Sequence, residues 1–333
     1  MEWAPLWTRG WIISKVRGIV LSSYFTISAQ NQAQRPCRKA CDLSLGKPLL
    51  LCLWTANLPS RLRSQLTATL TSHPSKSQRP PELFGTNSTL RHVSSVAFLA
   101  GDTPLESAAD AIRRTEHGRF EDLRSPHGTS AWFRSMRRAA ASRLQVVRLP
   151  TQLDLPEVYA ASFSGGISWA IMVDYPSSFR LWVPRWKHEG GEKPWKVSVT
   201  GFTIAHLPPQ AVVGLIEAAE SLRALLERSL DFSTRAKLDW FPDDFSKALA
   251  LLRSQTPEIP YHPDLFPSGG YSLLARQVAA SATTAYVFGG MGSFNDLGFT
   301  SHGLETEYKS LLPTLYAAVI DALLAAANSF GPE

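Results

Sequence analysis

The sequence predicts an α+β protein: an antiparallel sheet over about residues 145–205, covered by helices that flank it in the chain and preceded by a largely disordered leader. Three observations carry that prediction. Excess basic charge and all cysteines are confined to residues 1–95. The hydrophobic period is close to two between Leu149 and Leu207. Segments with a helical period and recognisable ends lie on both sides of that stretch.

The chain has 333 residues and a formal net charge of +6. Up to Ser95 there are 12 Lys and Arg against three acidic residues, Glu2, Asp42 and Glu82, whereas from Val96 onward 22 basic residues face 25 acidic ones. Cys37, Cys41 and Cys52 all fall in the first segment, so no disulfide framework supports the rest. Cys37 and Cys41 have the spacing of a zinc half-site, but a second close pair of ligands is missing and no metal is expected. The apolar runs "GIVLSSYF" and "LLLCLW" are too short to span a membrane, and neither has the form and position of a secretory signal. Residues 1–95 therefore read as a basic, Ser/Thr-rich leader, disordered or a non-native extension, and residues 96–330 as a single α+β domain. The expected location is the cytoplasm. Organelle import is the alternative in a eukaryote, because basic, hydroxyl-rich and acid-poor composition is that of a transit peptide.

The first predicted helix is "TPLESAADAIRRTEHG", with Thr103 as N-cap, Pro104 in the first turn, Glu106 closing a capping box and Gly118 as the stop. The second is "SAWFRSMRRAAASRL", where Trp132, Phe133, Met136 and Ala140 form the apolar face and Arg134, Arg137 and Arg138 point away. The segments "EVYAASFS", "ISWAIMVD", "FRLWVP" and "KVSVTGFTIA" alternate and are separated by glycine- and turn-rich links, which predicts a meander. Trp169, Trp182, Trp186 and Trp195 belong to it and fill the space between sheet and helices. A long helix over "PPQAVVGLIEAAESLRALLERSL" should bury Val212, Leu215, Ile216, Ala219, Leu222 and Leu226 across the sheet. Further helices are expected over "DDFSKALALLRSQ", "YSLLARQVAAS" and the C-terminal "LETEYKSLLPTLYAAVIDALLAAANS", the last broken near Pro313.

The stretch "AYVFGGMGSFNDLGF", Ala285 to Phe299, has the look of a strand running into a glycine-rich turn. Tyr286, Val287 and Phe288 are its expected strand. Gly290, Gly292 and Asn295 are candidate ligand-binding residues, because glycines let backbone N–H groups approach a phosphate. The pattern is only the first half of a dinucleotide fingerprint, and the loop lacks the lysine of a P-loop. Ser293, Asp296 and His302 are candidate catalytic residues by residue type, although the glycines of a nucleophile elbow do not flank Ser293. Between Arg113 and Arg148 lie nine arginines and three acidic residues, which makes Arg134, Arg137 and Arg138 candidate phosphate contacts on an arginine-rich helix 134–148. His188, His262, Asp239, Asp243, Asp244 and Asp264 do not make a metal-ligand pattern, and Asp243 and Asp244 suit a helix N-terminus.

These features point first to a non-enzymatic protein-interaction protein, of the immunity-type or accessory kind, that binds another protein and needs no cofactor. The alternative is a hydrolase or nucleotide-using enzyme with its site in the loop 289–302. The third reading is nucleic-acid binding through the arginine helix, and no membrane partner is expected.

Overall fold

The computed structural model describes residues 93–100, 105–108, 110–111, 115, 132, 134–136, 138–149, 155–161, 168–191, 195–205, 213–260, 263, 265–266, 268, 270–289 and 292–330. Among the described residues five strands form one sheet: β1 Val93–Ala100, β2 Arg143–Leu149, β3 Ser168–Tyr175, β4 Ser178–His188 and β5 Trp195–Thr203. Their spatial order is β1-β5-β4-β3-β2. The strands β3, β4 and β5 form the expected antiparallel run, with Trp182 opposite Gly201, and β2, in a stretch expected to be helical, joins them antiparallel in the place expected for "EVYAASFS", with Ile171 opposite Val146. The sheet is nevertheless mixed, because β1 lies parallel to β5 with Phe98 beside Val199. A parallel neighbour needs a long connection, and here the meander itself lies between the two paired strands. The first strand begins at Val93 and so straddles the boundary expected at residue 95.

Alternation along the strands supplies two cores. Val96, Phe98, Val146, Trp169, Ile171, Val173, Trp182, Val197 and Val199 point into the larger one, shared with the helices. Val147, Leu149, Ala170, Leu181, Val183, Phe202 and Ile204 face the other way and meet Ala108 and Ala111. Trp182 lies over Gly201, where a Cβ would stand 2.7 Å from the indole ring. The same indole meets Trp132 edge-on, and Trp132 stacks on Phe98 at 4.2 Å. Trp169 and Trp182 are buried as the interface role requires, while Trp186 and Trp195 are half-buried.

The helices whose full extent is described are α1 Glu157–Ala160, α2 Leu215–Arg235, α3 Phe241–Leu251, α4 Leu273–Thr284 and α5 His302–Asn328. Pro242 and two carboxylates, Asp243 and Asp244, occupy the first turn of α3, and the Ser272 hydroxyl accepts from Ala275 N–H to cap α4. α5 packs against α2 and α4, and α3 packs against α2 and α4. It is α5 that packs along β2. This helix is long and apolar enough to cross a membrane, but its apolar residues are spent on the core, among them Leu311, Leu312, Leu315, Val319, Ile320 and Leu323.

Several expectations are corrected. Glu157–Ala160 is one helical turn where a strand was expected. Tyr286, Val287 and Phe288 are buried but form no strand. Ile216 is 67% exposed in the first turn of α2. Pro313 sits inside an unbroken α5 because it lies on the exposed face, where water can serve the carbonyl that its missing N–H would have bonded. Leu105 does not enter the first helix, since its backbone pairs with Thr203 and Ala205 beside β5. Ser107 caps that helix instead, its hydroxyl accepting from Asp110 N–H; Thr103, Pro104 and Gly118 lie outside the described residues. The arginine-rich helix expected over 134–148 is helical only as far as Arg138, after which Ala140 takes a positive φ of 55° and the chain enters β2.

Candidate functional site

The loop between α4 and α5 holds most of the candidate residues. Its anchor is Phe294, fully buried, whose ring meets those of Phe241 at 5.2 Å, Phe245 at 5.4 Å and Tyr308 at 5.8 Å. Phe294 opens a single 3-10 turn, Phe294–Asp296. Two glycines let the backbone reverse before it, Gly289 at φ 144° and Gly292 at φ 78°. Phe294 N–H bonds the Val287 carbonyl across the turn at 2.8 Å, and the Tyr308 hydroxyl donates to the Phe294 carbonyl at 2.7 Å. Burial holds the Tyr308 hydroxyl well above its ordinary pKa, so it keeps its proton for that bond.

Asn295 is the centre of the loop's polar network. Its Oδ1 accepts from Gly289 N–H at 3.1 Å and from the Ser293 hydroxyl at 2.6 Å, and its Nδ2 donates to the Val158 carbonyl of α1 at 2.7 Å. Ser293 and Asn295 are both buried. Asp296 is exposed and accepts from Gly292 N–H at 3.0 Å. His302 is exposed in the first turn of α5, and its carbonyl accepts from the Thr306 hydroxyl. Thus the structure brings Ser293, Asn295 and Gly289 into one network and Gly292 and Asp296 into a second contact, and His302 shares no hydrogen bond with either. The Ser293 proton is directed at an amide oxygen, which is not a general base at neutral pH. Gly290 lies outside the described residues.

The N–H groups of Gly289, Gly292, Phe294, Asp296 and Phe299 all have acceptors within the protein, two of them carboxylates, Asp296 and Glu305. These five donors are engaged within the protein, and the carboxylates that take two of them, Asp296 and Glu305, carry the charge opposite to that a phosphate would seek. The carboxyl of Glu305 is held below its usual pKa by Lys309 and by the Phe299 N–H.

A second polar cluster, not singled out from the sequence, joins β2, α1 and α5. Arg148 pairs with Glu157 through both guanidinium and carboxylate forks, Nε to Oε1 being 3.3 Å. The same guanidinium acts on Asp321 and Tyr316 of α5. Burial pushes the Asp321 carboxyl above its usual pKa, and Arg148 pulls it back in part. Tyr316 is buried beside Tyr286, and its hydroxyl is held far above its ordinary pKa mainly by burial. Asp321 was visible in the sequence only as an interruption of an apolar run; its approach to a strand residue 173 positions earlier was not.

Arg134 and Arg138 are exposed on helical backbone, and Arg137 lies outside the described residues. Among the described residues no group of three His, Cys, Asp or Glu is placed to hold a metal ion. Asp239 and Asp243 are exposed, while His262 and Asp264 lie outside the described residues. No family model, curated protein or solved structure matches the chain.

Proposed function

We propose that the chain is a non-catalytic, cytoplasmic protein of the immunity-type or accessory kind that binds another protein through the face around the loop 289–302. The observation that carries this reading is the division of labour around the loop. Ser293 and Asn295 turn inward, Asn295 holding α1, while large apolar side chains on or beside α1 and α3 stay in solvent: Leu155 at 47%, Tyr159 at 40% and Trp240 at 38% exposure. Tyr159 follows Val158, whose carbonyl Asn295 binds, and Trp240 leans on Phe241, whose ring meets Phe294. Exposed tyrosine and tryptophan are the side chains that anchor protein interfaces, because each offers large contact area at small conformational cost.

The test is affinity capture from the source cells with the parent chain and with Tyr159→Ala/Trp240→Ala, both checked for a native fold. A protein retained by the parent and lost by the double variant supports the reading. Three results would replace it. Ester or amide hydrolysis lost in a folded Ser293→Ala variant, or nucleotide-dependent thermal stabilisation lost in a folded Gly292→Val variant, would make the chain an enzyme or nucleotide binder. Salt-sensitive nucleic-acid binding lost in Arg134→Gln/Arg137→Gln/Arg138→Gln would make it a nucleic-acid binder.

A further inference from the structure

Among the described residues β2 is an edge strand of the sheet, and its outward side meets a side chain and no further strand. Asn328, the last residue of α5, accepts from the Val146 N–H at 2.8 Å through Oδ1 and donates to the Val146 carbonyl at 2.9 Å through Nδ2. A carboxamide carries the same donor and acceptor as a peptide group, so this pair reproduces the two-bond contact that a neighbouring strand would make. Val146 itself is buried, whereas Asn328 is exposed, so the contact sits where the edge meets solvent. An edge strand left open is a template for pairing with another chain.

We propose that Asn328 is an edge seal, and that the surface it closes is one on which β2 of a second copy of this chain pairs in antiparallel register. The sequence of β2 is suited to pair with itself. A two-fold axis through Val146 sets Val146 opposite Val146, Leu144 opposite Arg148 and Arg143 opposite Leu149, so no arginine faces an arginine. Charge does not guard the middle of this edge either, since Arg148 is neutralised by Glu157. The residues of the seal are distinct from those of the loop Asn295 organises, and this inference does not depend on the binding function proposed above.

The experiment compares the mass in solution of the full chain and of Asn328→Ala by light scattering across a concentration series, with circular dichroism confirming the fold. The expected result is an increase toward twice the parent's mass in the variant, at concentrations where the parent does not change. Adding Leu144→Pro should abolish the increase, because by strand alternation the Leu144 N–H points to the same outward edge as that of Val146, and proline removes it without breaking the β2–β3 ladder. Should Asn328→Ala fail to fold, Asn328→Asp keeps the acceptor for Val146 N–H and sets a carboxylate against the carbonyl, and it is judged by the same readout. A folded variant that keeps the parent's mass at every concentration overturns the proposal, and so does association that persists when Leu144→Pro is present.

Discussion

Replacing Asn295 by alanine removes three hydrogen bonds that converge on one buried side chain. The Ser293 hydroxyl can rotate toward another acceptor, so its loss counts for little. The Gly289 N–H and the Val158 carbonyl are fixed by the backbone and are left without their partner. A buried polar group stripped of its partner costs about 1–3 kcal/mol, so Asn295→Ala should destabilise the fold by roughly 2–5 kcal/mol. At the scale of a domain of this size that corresponds to a fall in melting temperature on the order of 5–15 °C, read by calorimetry or by circular dichroism.

Asn295→Asp separates the acceptor role from the donor role. The carboxylate can still accept from Gly289 and Ser293, but it opposes the Val158 carbonyl instead of donating to it. Protonation restores a donor. The introduced carboxyl is therefore harder to ionise in the folded state than in the unfolded chain, and its stabilising contribution is present at low pH and lost as pH rises through the folded pKa. The variant should approach the parent's stability in acid and fall away from it toward neutrality. A loss below about 1 kcal/mol for Asn295→Ala, with no pH dependence for Asn295→Asp, would refute the view that this network exists to hold the fold together.

Three other substitutions probe separate parts of the structure. Gly201→Ala drives a methyl group against the buried indole of Trp182, which is itself wedged against Trp132, and should cost about 1–3 kcal/mol in chemical denaturation. Gly292→Ala meets nothing within 4 Å, so only the positive φ of 78° counts, and the cost should be about 1 kcal/mol with no change in the packing of Phe294. Asp321→Asn tests the buried carboxyl near Arg148: because the folded pKa is raised above 3.8, the acid form contributes stability that is lost as pH rises through the folded value, and melting temperatures should show the asparagine variant gaining on the parent from acid toward neutral pH.

Helices α2, α3, α4 and α5 were legible because each carries a helical apolar period over several turns, and β3, β4 and β5 because alternation persists through glycine-rich links. α1 was not. Its buried Val158 and Ala160 flank exposed Tyr159, which reads as a strand period of two, and a single helical turn is too short for a period of 3.6 to declare itself. The better signal was Pro156, which stands at the N-cap position of that turn. The parallel place of β1 is a matter of pairing across about a hundred residues, which alternation within "VSSVAFLA" does not encode. At the loop, the glycines announced a tight turn correctly, and the buried Phe294 follows from its type. Asn295 was a candidate ligand contact by residue type, and residue type does not reveal that its amide bonds a carbonyl in α1.

The three side-chain contacts that link β2, α1, α5 and the loop before α5 share a physical logic. Asn295 bonds Val158, Asn328 bonds Val146, and Arg148 pairs with Glu157 while acting on Asp321. The apolar faces of β2, α1 and α5 attract one another without direction, and a helix rich in alanine such as "YAAVIDALLAAAN" could slide along a flat strand at small cost in buried area. Hydrogen bonds to fixed backbone groups remove that freedom, because a shift of one residue leaves buried donors and acceptors unpaired. Asn328 thereby sets where α5 lies along β2, Arg148 and Glu157 set where α1 meets the same strand, and Asn295 fastens α1 to the loop that leads into α5. The contacts form a closed circuit from α5 to β2 to α1 to the loop and back to α5, and so the position of the loop's exposed rim, with Tyr159 on one side, is fixed by the seal at the sheet's edge as well as by its own glycines.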